Sequence, residues 1–478
     1  MQKILFYLLC CCLIFSNMPA HAQKKKSKST HSKHAASSKK TSSKKKSKKA
    51  EPKPAAPLPP LADVGDFDKI NVLHGSGNNG SAAIKNQGAI QSLNEYIYNC
   101  ISQRAFPGCQ IMAIKDGEIV YKKNFGYYSY DAMKPVTDTT LYDIASVTKI
   151  ASTTLAIMKL YEEDKIVLSN YLRNYLPFTI GTDKANLTIR DLLLHQAGLK
   201  AFIPFYKTTI DPNTGGPRSD LYRTNNNDPL FRTPVASNYY ILNTYRDTIW
   251  NEILQSNLEN KGKYVYSDLD YYFLQKVVEA VTGVRLDQYV YDNFYKPLEL
   301  KYTTYNPWRK GLKDQCTPTE NDQYFRFQTI QGYVHDPGTA MLGGVAGHAG
   351  IFSNTRELAV IFQMLINGGT YKGHRYFKTS TLKTFTGFNS DISRRGFGFD
   401  KPNKARGDGG PASDLVSKTT FGHQGFTGTC AWADPETGIV FIFLSNRVNP
   451  SADNNLINHL GVRTKAQTYI YQALGYGK

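Results

Sequence analysis

The chain has 478 residues, with 58 Lys and Arg against 39 Asp and Glu, a net charge of +19. That excess is local: residues 24–53 hold 13 Lys and one Glu, so the rest of the chain is nearly balanced and a nucleic-acid-binding globular domain is not implied. With 41% hydrophobic and 12% aromatic residues the chain can bury a large core, which excludes global disorder.

Residues 1–22 read as a secretory signal. Lys3 is the charged start, Ile4 to Phe15 is an apolar run, and Ala20-His21-Ala22 offers a small-x-small cleavage site. The run is short for a bilayer span, so the expectation is export to the periplasm or outside the cell, with an uncleaved anchor as the alternative. Cys10, Cys11 and Cys12 leave with the signal. Cys100, Cys109, Cys316 and Cys430 remain and read as buried thiols with one bridge at most. Residues 23–79 are expected to be a linker, rich in Lys, Ser and Pro over 23–60, a composition that cannot bury a core. Its positive run is either a solvated tether or a means of holding anionic envelope surfaces. Residues 80–478 are expected to form one catalytic unit.

Apolar residues Ile90, Leu93, Ile97 and Ile101 predict a helix over about 88–104. Asp116-Gly117 between apolar-rich runs predicts a hairpin of Cys109–Ile114 and Glu118–Phe125. A helix is expected from Ser146 to Glu163, and Thr188 to Asp191 reads as a capping box on a short helix closed by Gly198. Residues 200–245, polar and without period, read as long surface loops walling a pocket. Further helices are expected over 268–282, from a cap at Asn354–Glu357 to Gly368, and over 454–474. Between the last two, Thr429–Ala433 and Ile439–Ser445 form a second hairpin. Hairpins near both ends and helices between them imply an α/β class, α+β in detail. One antiparallel sheet is flanked by the terminal helices, with a mostly helical subdomain inserted.

Ser146 and Lys149, three apart at a helix start, share one face. Serine needs a base to become a nucleophile, and a lysine becomes one if burial and the helix's positive end disfavour its charge. Ser-x-x-Lys also begins at Ser37, Ser42, Ser43 and Ser380, so the motif alone says little; Ser146 differs in opening an apolar helix after a strand-like run. Tyr266-Ser267-Asp268 precedes another helix. A phenol near an ammonium is pushed toward phenolate, which makes Tyr266 a candidate general base, and Asp268 would orient Lys149, bind a substrate amide or simply cap the helix. His423-Gln424-Gly425 precedes Phe426 and the last strands. Gly425 would let a substrate backbone approach, the N–H groups of Ser146 and Phe426 would form an oxyanion hole, and His423 would donate to Tyr266 or to substrate.

These three elements, in this order, resemble the serine β-lactamase and penicillin-binding superfamily, closest to class C enzymes and their esterase and D-peptidase relatives. Further segments are similar to that superfamily: Tyr142 to Lys149, Thr188 to Leu199, and Val334-His335-Asp336 through Gly343 to Gly350. The resemblance spans about 88–475. It implies a β-lactamase/transpeptidase-like fold, Ser146 as acylated nucleophile, Lys149 as its activator and Tyr266 as general base, with Asn446, Arg447 and Asn449 contacting a substrate carboxylate. Two positions depart from the pattern: Asp268 stands where Asn is usual, and His423 where Lys is usual, so a fixed positive charge is lost at neutral pH. Both changes weigh against an efficient β-lactamase.

The expectation is an exported serine hydrolase working through an acyl-enzyme on small-molecule or peptidoglycan-derived peptide substrates, a penicillin-binding-type carboxypeptidase or amidase. A carboxylesterase or β-lactamase of the same fold is the alternative. A non-catalytic envelope-binding protein is the alternative of another class. No cofactor is expected. His335, Asp336 and His348 do not have a recognised metal-ligand spacing and are expected to shape a loop near the pocket, as His195 does in its own segment.

Overall fold

The computed structural model describes residues 83–403, 405 and 409–477. The expected signal, residues 1–22, and the linker, residues 23–79, lie outside the described residues.

The Asp116-Gly117 turn, with both residues at positive φ, folds β1 (Gly108–Lys115) back onto β2 (Glu118–Gly126). The other edge of β1 pairs antiparallel with the last strand of the chain, Cys109 opposite Ser445. The remaining strands are β3 (Phe421–Gly425), β4 (Thr429–Asp434) and β5 (Ile439–Ser445). The sheet order is β3-β4-β5-β1-β2. Strand side chains alternate between faces, and both faces here are buried, so β5 reads as an unbroken apolar run. Phe441 and Phe443, with Ile111 and Ala113 of β1, enter one core cluster with α1 (Gln87–Ser102) and a C-terminal helix. Ile442, Leu444, Met112 and Ile114 enter the other cluster with the central helices. Each such side chain contributes about 2 kcal/mol by leaving water, so two-sided burial makes β1 and β5 the mechanical centre.

The central helices are α2 (Thr154–Glu162), α3 (Ile189–Leu193), α4 (Leu269–Thr282) and α5 (Thr355–Ile366). Their caps follow the sequence. Thr188 Oγ1 accepts from Asp191 N–H at 3.0 Å, and Asn354 Oδ1 accepts from Glu357 N–H at 2.9 Å. Gly283 takes the left-handed conformation that ends α4. The expected C-terminal helix is broken: Leu456–His459 stops at Gly461, in a left-handed conformation, and α6 (Val462–Ala473) follows.

Two regions differ from expectation. Residues 200–245 are not only surface loops. They form a small sheet of Tyr222–Arg223, Thr233–Ala236 and Tyr239–Ile241, and Tyr222 stacks on Tyr239 at 4.7 Å inside the core. Aromatic side chains supply there the burial that a missing apolar period concealed. The helix expected from Ser146 begins instead as a tight turn, Ala145–Val147, then a wide turn, Lys149–Thr153, before α2. Hydroxyls bond out of that wide turn: Thr153 Oγ1 donates to Gly347 O at 2.7 Å, and Ser152 Oγ pairs with Tyr305 Oη at 2.9 Å. Wide turns of this kind gather at functional sites.

Candidate active site

Ser146 sits one residue after Ala145, whose φ of 46° places a residue with a side chain in the left-handed region. Asp143 sets this bend. Its Oδ1 accepts from Ala145 N–H at 2.9 Å, and its Oδ2 accepts from His335 N–H at 2.7 Å. Burial raises the Asp143 carboxyl above its ordinary range, while those two N–H groups favour the carboxylate. Two threonines beyond β3 grip the same turn: Thr427 Oγ1 donates to Asp143 O at 2.6 Å and Thr429 Oγ1 to Ile144 O at 2.9 Å. The strand edge at Gly425–Phe426 is thereby fastened beside Ser146.

Lys149 is fully buried. Its Nζ donates to Ser146 Oγ at 3.0 Å and to Asp268 Oδ1 at 2.6 Å, and approaches His348 O at 3.5 Å. Asp268 opens α4 but makes no side-chain cap; Ser267 Oγ accepts from Leu269 N–H instead. The helix-cap alternative for Asp268 is therefore replaced by an ion pair between a buried ammonium and a carboxylate with 29% exposure.

Tyr266 faces this pair with its ring, Lys149 Nζ standing 4.8 Å from the centroid. The expected push toward phenolate is overturned. Burial and the Asp268 charge raise the phenol well above its ordinary value, against the smaller opposing effects of Arg395 and of a hydrogen bond with Ser146. The resting tyrosine carries its proton. His423 is buried, and burial together with Arg395 lowers its pKa to about 3, so it is neutral at pH 7, as its place in the pattern implied. Its role as a donor is corrected: Nδ1 donates to Gln424 O at 2.6 Å, which leaves Nε2 an acceptor, buried without a partner. The two rings lie 5.8 Å apart.

Four further expectations change. A Cβ on Gly425 would meet Thr429 Oγ1 at 2.1 Å and Ile144 O at 2.5 Å, so this glycine admits the chain's own turn rather than a substrate backbone. Asn446 Nδ2 donates to Tyr128 O at 2.8 Å and Pro318 O at 2.7 Å, and Asn449 Nδ2 to Thr319 O at 2.9 Å. Arg447 donates to the carbonyls of Phe426, Ala452 and Asn454, with its guanidinium 4.4 Å over the Phe426 ring. All three residues are buried, and their side chains brace loops instead of presenting groups to a substrate carboxylate. Arg447 thereby holds Phe426, a residue that is itself 52% exposed.

No motif pointed to Arg395, a buried guanidinium 5.3 Å from the Tyr266 ring. Its Nε donates to Tyr264 Oη at 3.2 Å and its Nη1 is buried without a partner. Asp400, held below its usual range at about 2, is forked by Arg394 and lies 3.8 Å from Arg395. His195 does more than shape its segment. Its Nδ1 lies 2.6 Å from Asp270 Oδ2, beneath the Tyr266 ring at 4.6 Å, and burial drives both groups toward their neutral forms. His335 pairs with Glu320 and His348 with Asp336 and Thr339, so these residues do not converge on one point. Among the described residues no group of three or more His, Cys, Asp or Glu is placed to hold a metal ion. The four cysteines are buried and free. No described helix is long and apolar enough to cross a membrane.

A mixed fold with a central antiparallel sheet, carrying a serine hydroxyl against a buried lysine beside a tyrosine, is that of a serine hydrolase. The chain belongs to the beta-lactamase family, whose model matches residues 83–464. A relative from Escherichia coli O157:H7 named "Putative D-alanyl-D-alanine carboxypeptidase" is 33% identical over 377 residues, covering 73% of this chain and 80% of its own. One of the same name from Salmonella gallinarum is 31% identical, covering 77% and 85%. In fold the chain is similar to the octameric penicillin-binding protein homologue from Pyrococcus abyssi, with a TM-score of 0.56, 21% identity and 79% of each chain covered. It is also similar to EstCE1, described as a hydrolase with promiscuous acyltransferase activity, with a TM-score of 0.58, 18% identity and coverage of 80% and 99%.

Proposed function

We propose that the protein is an exported D-amino-acid peptidase or amidase of the cell wall that works through an acyl-enzyme on Ser146. The observation that carries this reading is the hydrogen-bonded chain Ser146–Lys149–Asp268. As an ammonium, Lys149 donates to Ser146 and cannot accept its proton. Asp268 offers the way out. When a substrate covers the site and excludes water, the proton on Lys149 moves across the 2.6 Å contact to Asp268. The freed amine then takes the Ser146 proton as Oγ bonds to the substrate carbonyl carbon. The N–H groups of Ser146 and Phe426 hold the resulting oxyanion. Tyr266, protonated at rest, gives its proton to the leaving amine as the C–N bond breaks, and the phenolate left behind removes a proton from the water that cleaves the acyl-enzyme, while Lys149 returns its proton to the departing Ser146 Oγ and recovers one from Asp268. An asparagine at 268 would not accept the lysine proton, so the departure from the usual pattern becomes part of the mechanism.

The names of the relatives support a peptide ending in D-alanine as substrate, and a wall substrate supports an exported enzyme. Residues 23–60 then serve as a tether to anionic envelope surfaces. Liquid chromatography–mass spectrometry after incubation with a penicillin tests the reading. The expected result is a stable adduct mapping to Ser146. Drug hydrolysis without an adduct would make the enzyme a β-lactamase. No change in either mass would move the assignment to an esterase or to a binding protein.

A further inference from the structure

The wide turn that carries Lys149 rests on two tyrosines. Tyr295 Oη donates to Ala151 O at 2.9 Å, and Tyr305 Oη pairs with Ser152 Oγ at 2.9 Å. The same two tyrosines form part of the wall of a cavity of about 510 Å³, which shares no residue with the Ser146 site. Five cations line it, Arg232, Arg246, Arg285, Arg309 and Lys310, against one carboxylate, Asp287. That carboxylate is already spent: Arg285 Nε and Nη2 reach its two oxygens at 3.0 and 3.3 Å. Among the described residues, no carboxylate lies within ion-pair distance of Arg232, Arg309 or Lys310.

The wall is also pre-positioned. Arg309 lies 4.8 Å over Trp308, which stacks on Tyr333 at 5.1 Å, and Lys310 lies 5.0 Å over Tyr291. Asn306, at a φ of 48°, donates from Nδ2 to Gly343 O at 2.9 Å and accepts the Trp308 indole N–H at 3.3 Å. The turn bearing both cations is therefore locked to the Gly343 loop. Partial burial pulls the Lys310 ammonium below its ordinary value, a cost that a bound anion offsets. Like charges around one hollow repel, and guanidinium forks match carboxylate and phosphate oxygens two at a time. A hollow of this volume admits a small molecule rather than a polymer strand.

We propose that this cavity is a binding site for a compact polyanion bearing two or more phosphate or carboxylate groups, separate from the Ser146 site. The proposal stands whatever Ser146 hydrolyses. Calorimetric titration of the full chain with inorganic pyrophosphate, and separately with citrate, tests it. The expected result is saturable binding of at least one, weakened about tenfold or more in the Arg309→Ala/Lys310→Ala double variant. Neither residue belongs to the core or to the Ser146 site, so the denaturant midpoint and penicillin acylation of Ser146 should not change. The Lys-rich segment at 24–53 is present in wild type and variant alike, so its contribution cancels. Tighter binding of pyrophosphate assigns a phosphate-bearing ligand, and tighter binding of citrate a polycarboxylate. Equal affinity in wild type and double variant, or no binding of either anion, overturns the site.

Discussion

Two Ser-x-x-Lys sequences lie in the described chain, and they could hardly be more different in surroundings. Ser380 and Lys383 sit in the short helix Thr379–Thr386, both exposed. Ser146 and Lys149 have the same spacing, but the lysine is wholly buried and bridged to Asp268. Spacing brings the two side chains onto one face in both places. Water screens the first pair, whereas Lys149 of the second is buried, and its hydrogen bonds go to Ser146, Asp268 and a carbonyl. Chemistry arises from burial and a third group, not from the motif.

The comparison breaks most visibly on the nucleophile. Ser146→Ala should lower kcat by about a millionfold for any substrate, the scale on which losing a serine nucleophile acts, and should abolish the penicillin adduct. Hydrolysis that survives this change would refute the assignment. Asp268→Asn comes next. It removes the counter-charge of a fully buried ammonium, with water reaching only the carboxylate end, so the expected destabilisation is about 3 kcal/mol, read as a lower denaturant midpoint. Single-turnover acylation should fall about a hundredfold with it, because the lysine proton has lost its acceptor. Wild-type acylation in a folded Asp268→Asn chain would show that Lys149 is activated by another route.

How far the sequence was readable follows the range over which each feature is encoded. The hairpins at 116–117 and 435–438, the caps at Thr188 and Asn354 and the Ser146–Lys149 pair are all local, and each lies where its neighbours in sequence put it. What was hidden depends on partners far along the chain. Asn446, Arg447 and Asn449 look like substrate contacts after a last strand, yet their partners are the carbonyls of Tyr128, Phe426 and Thr319, which no spacing reveals. Arg395 reaches Tyr266 from a loop bearing no motif. The segment Arg395 to Phe399 earns its place through close packing: a Cβ on Gly398 would meet Thr154 Oγ1 at 2.4 Å. The direction of the Tyr266 shift was also beyond sequence, since it hangs on whether burial and Asp268 outweigh the nearby cations.

A smaller effect sharpens the contrast between buried and exposed titratable groups. The folded His423 has a pKa of about 3 against an ordinary 6.5, so the unfolded chain binds a proton that the folded chain refuses. The resulting stability is fully present above pH 6.5 and is lost as pH falls from 6.5 toward 3. His195 adds the same sign and the raised Asp270 the opposite, so the clean readout is a difference. The stability of wild type relative to His423→Gln should shrink by about 1.4 kcal/mol per pH unit between pH 6 and 4.5. A constant difference across that window would mean that His423 is not held neutral by its surroundings.

The smallest expected effect is the one that completes the comparison. Ser380→Ala removes the hydroxyl of the second Ser-x-x-Lys without touching a buried partner, so stability should move by no more than about 0.5 kcal/mol and turnover should be unchanged. The same substitution at Ser146 is chemically identical and sits at the same distance in sequence from a lysine. If Ser380→Ala also lowered turnover, burial would not be what separates the two pairs, and the role given to the Lys149–Asp268 contact would fall with it. If turnover holds while Ser146→Ala abolishes it, the difference must come from what surrounds each pair: a desolvated ammonium, a carboxylate at 2.6 Å and a strand edge fastened beside the hydroxyl.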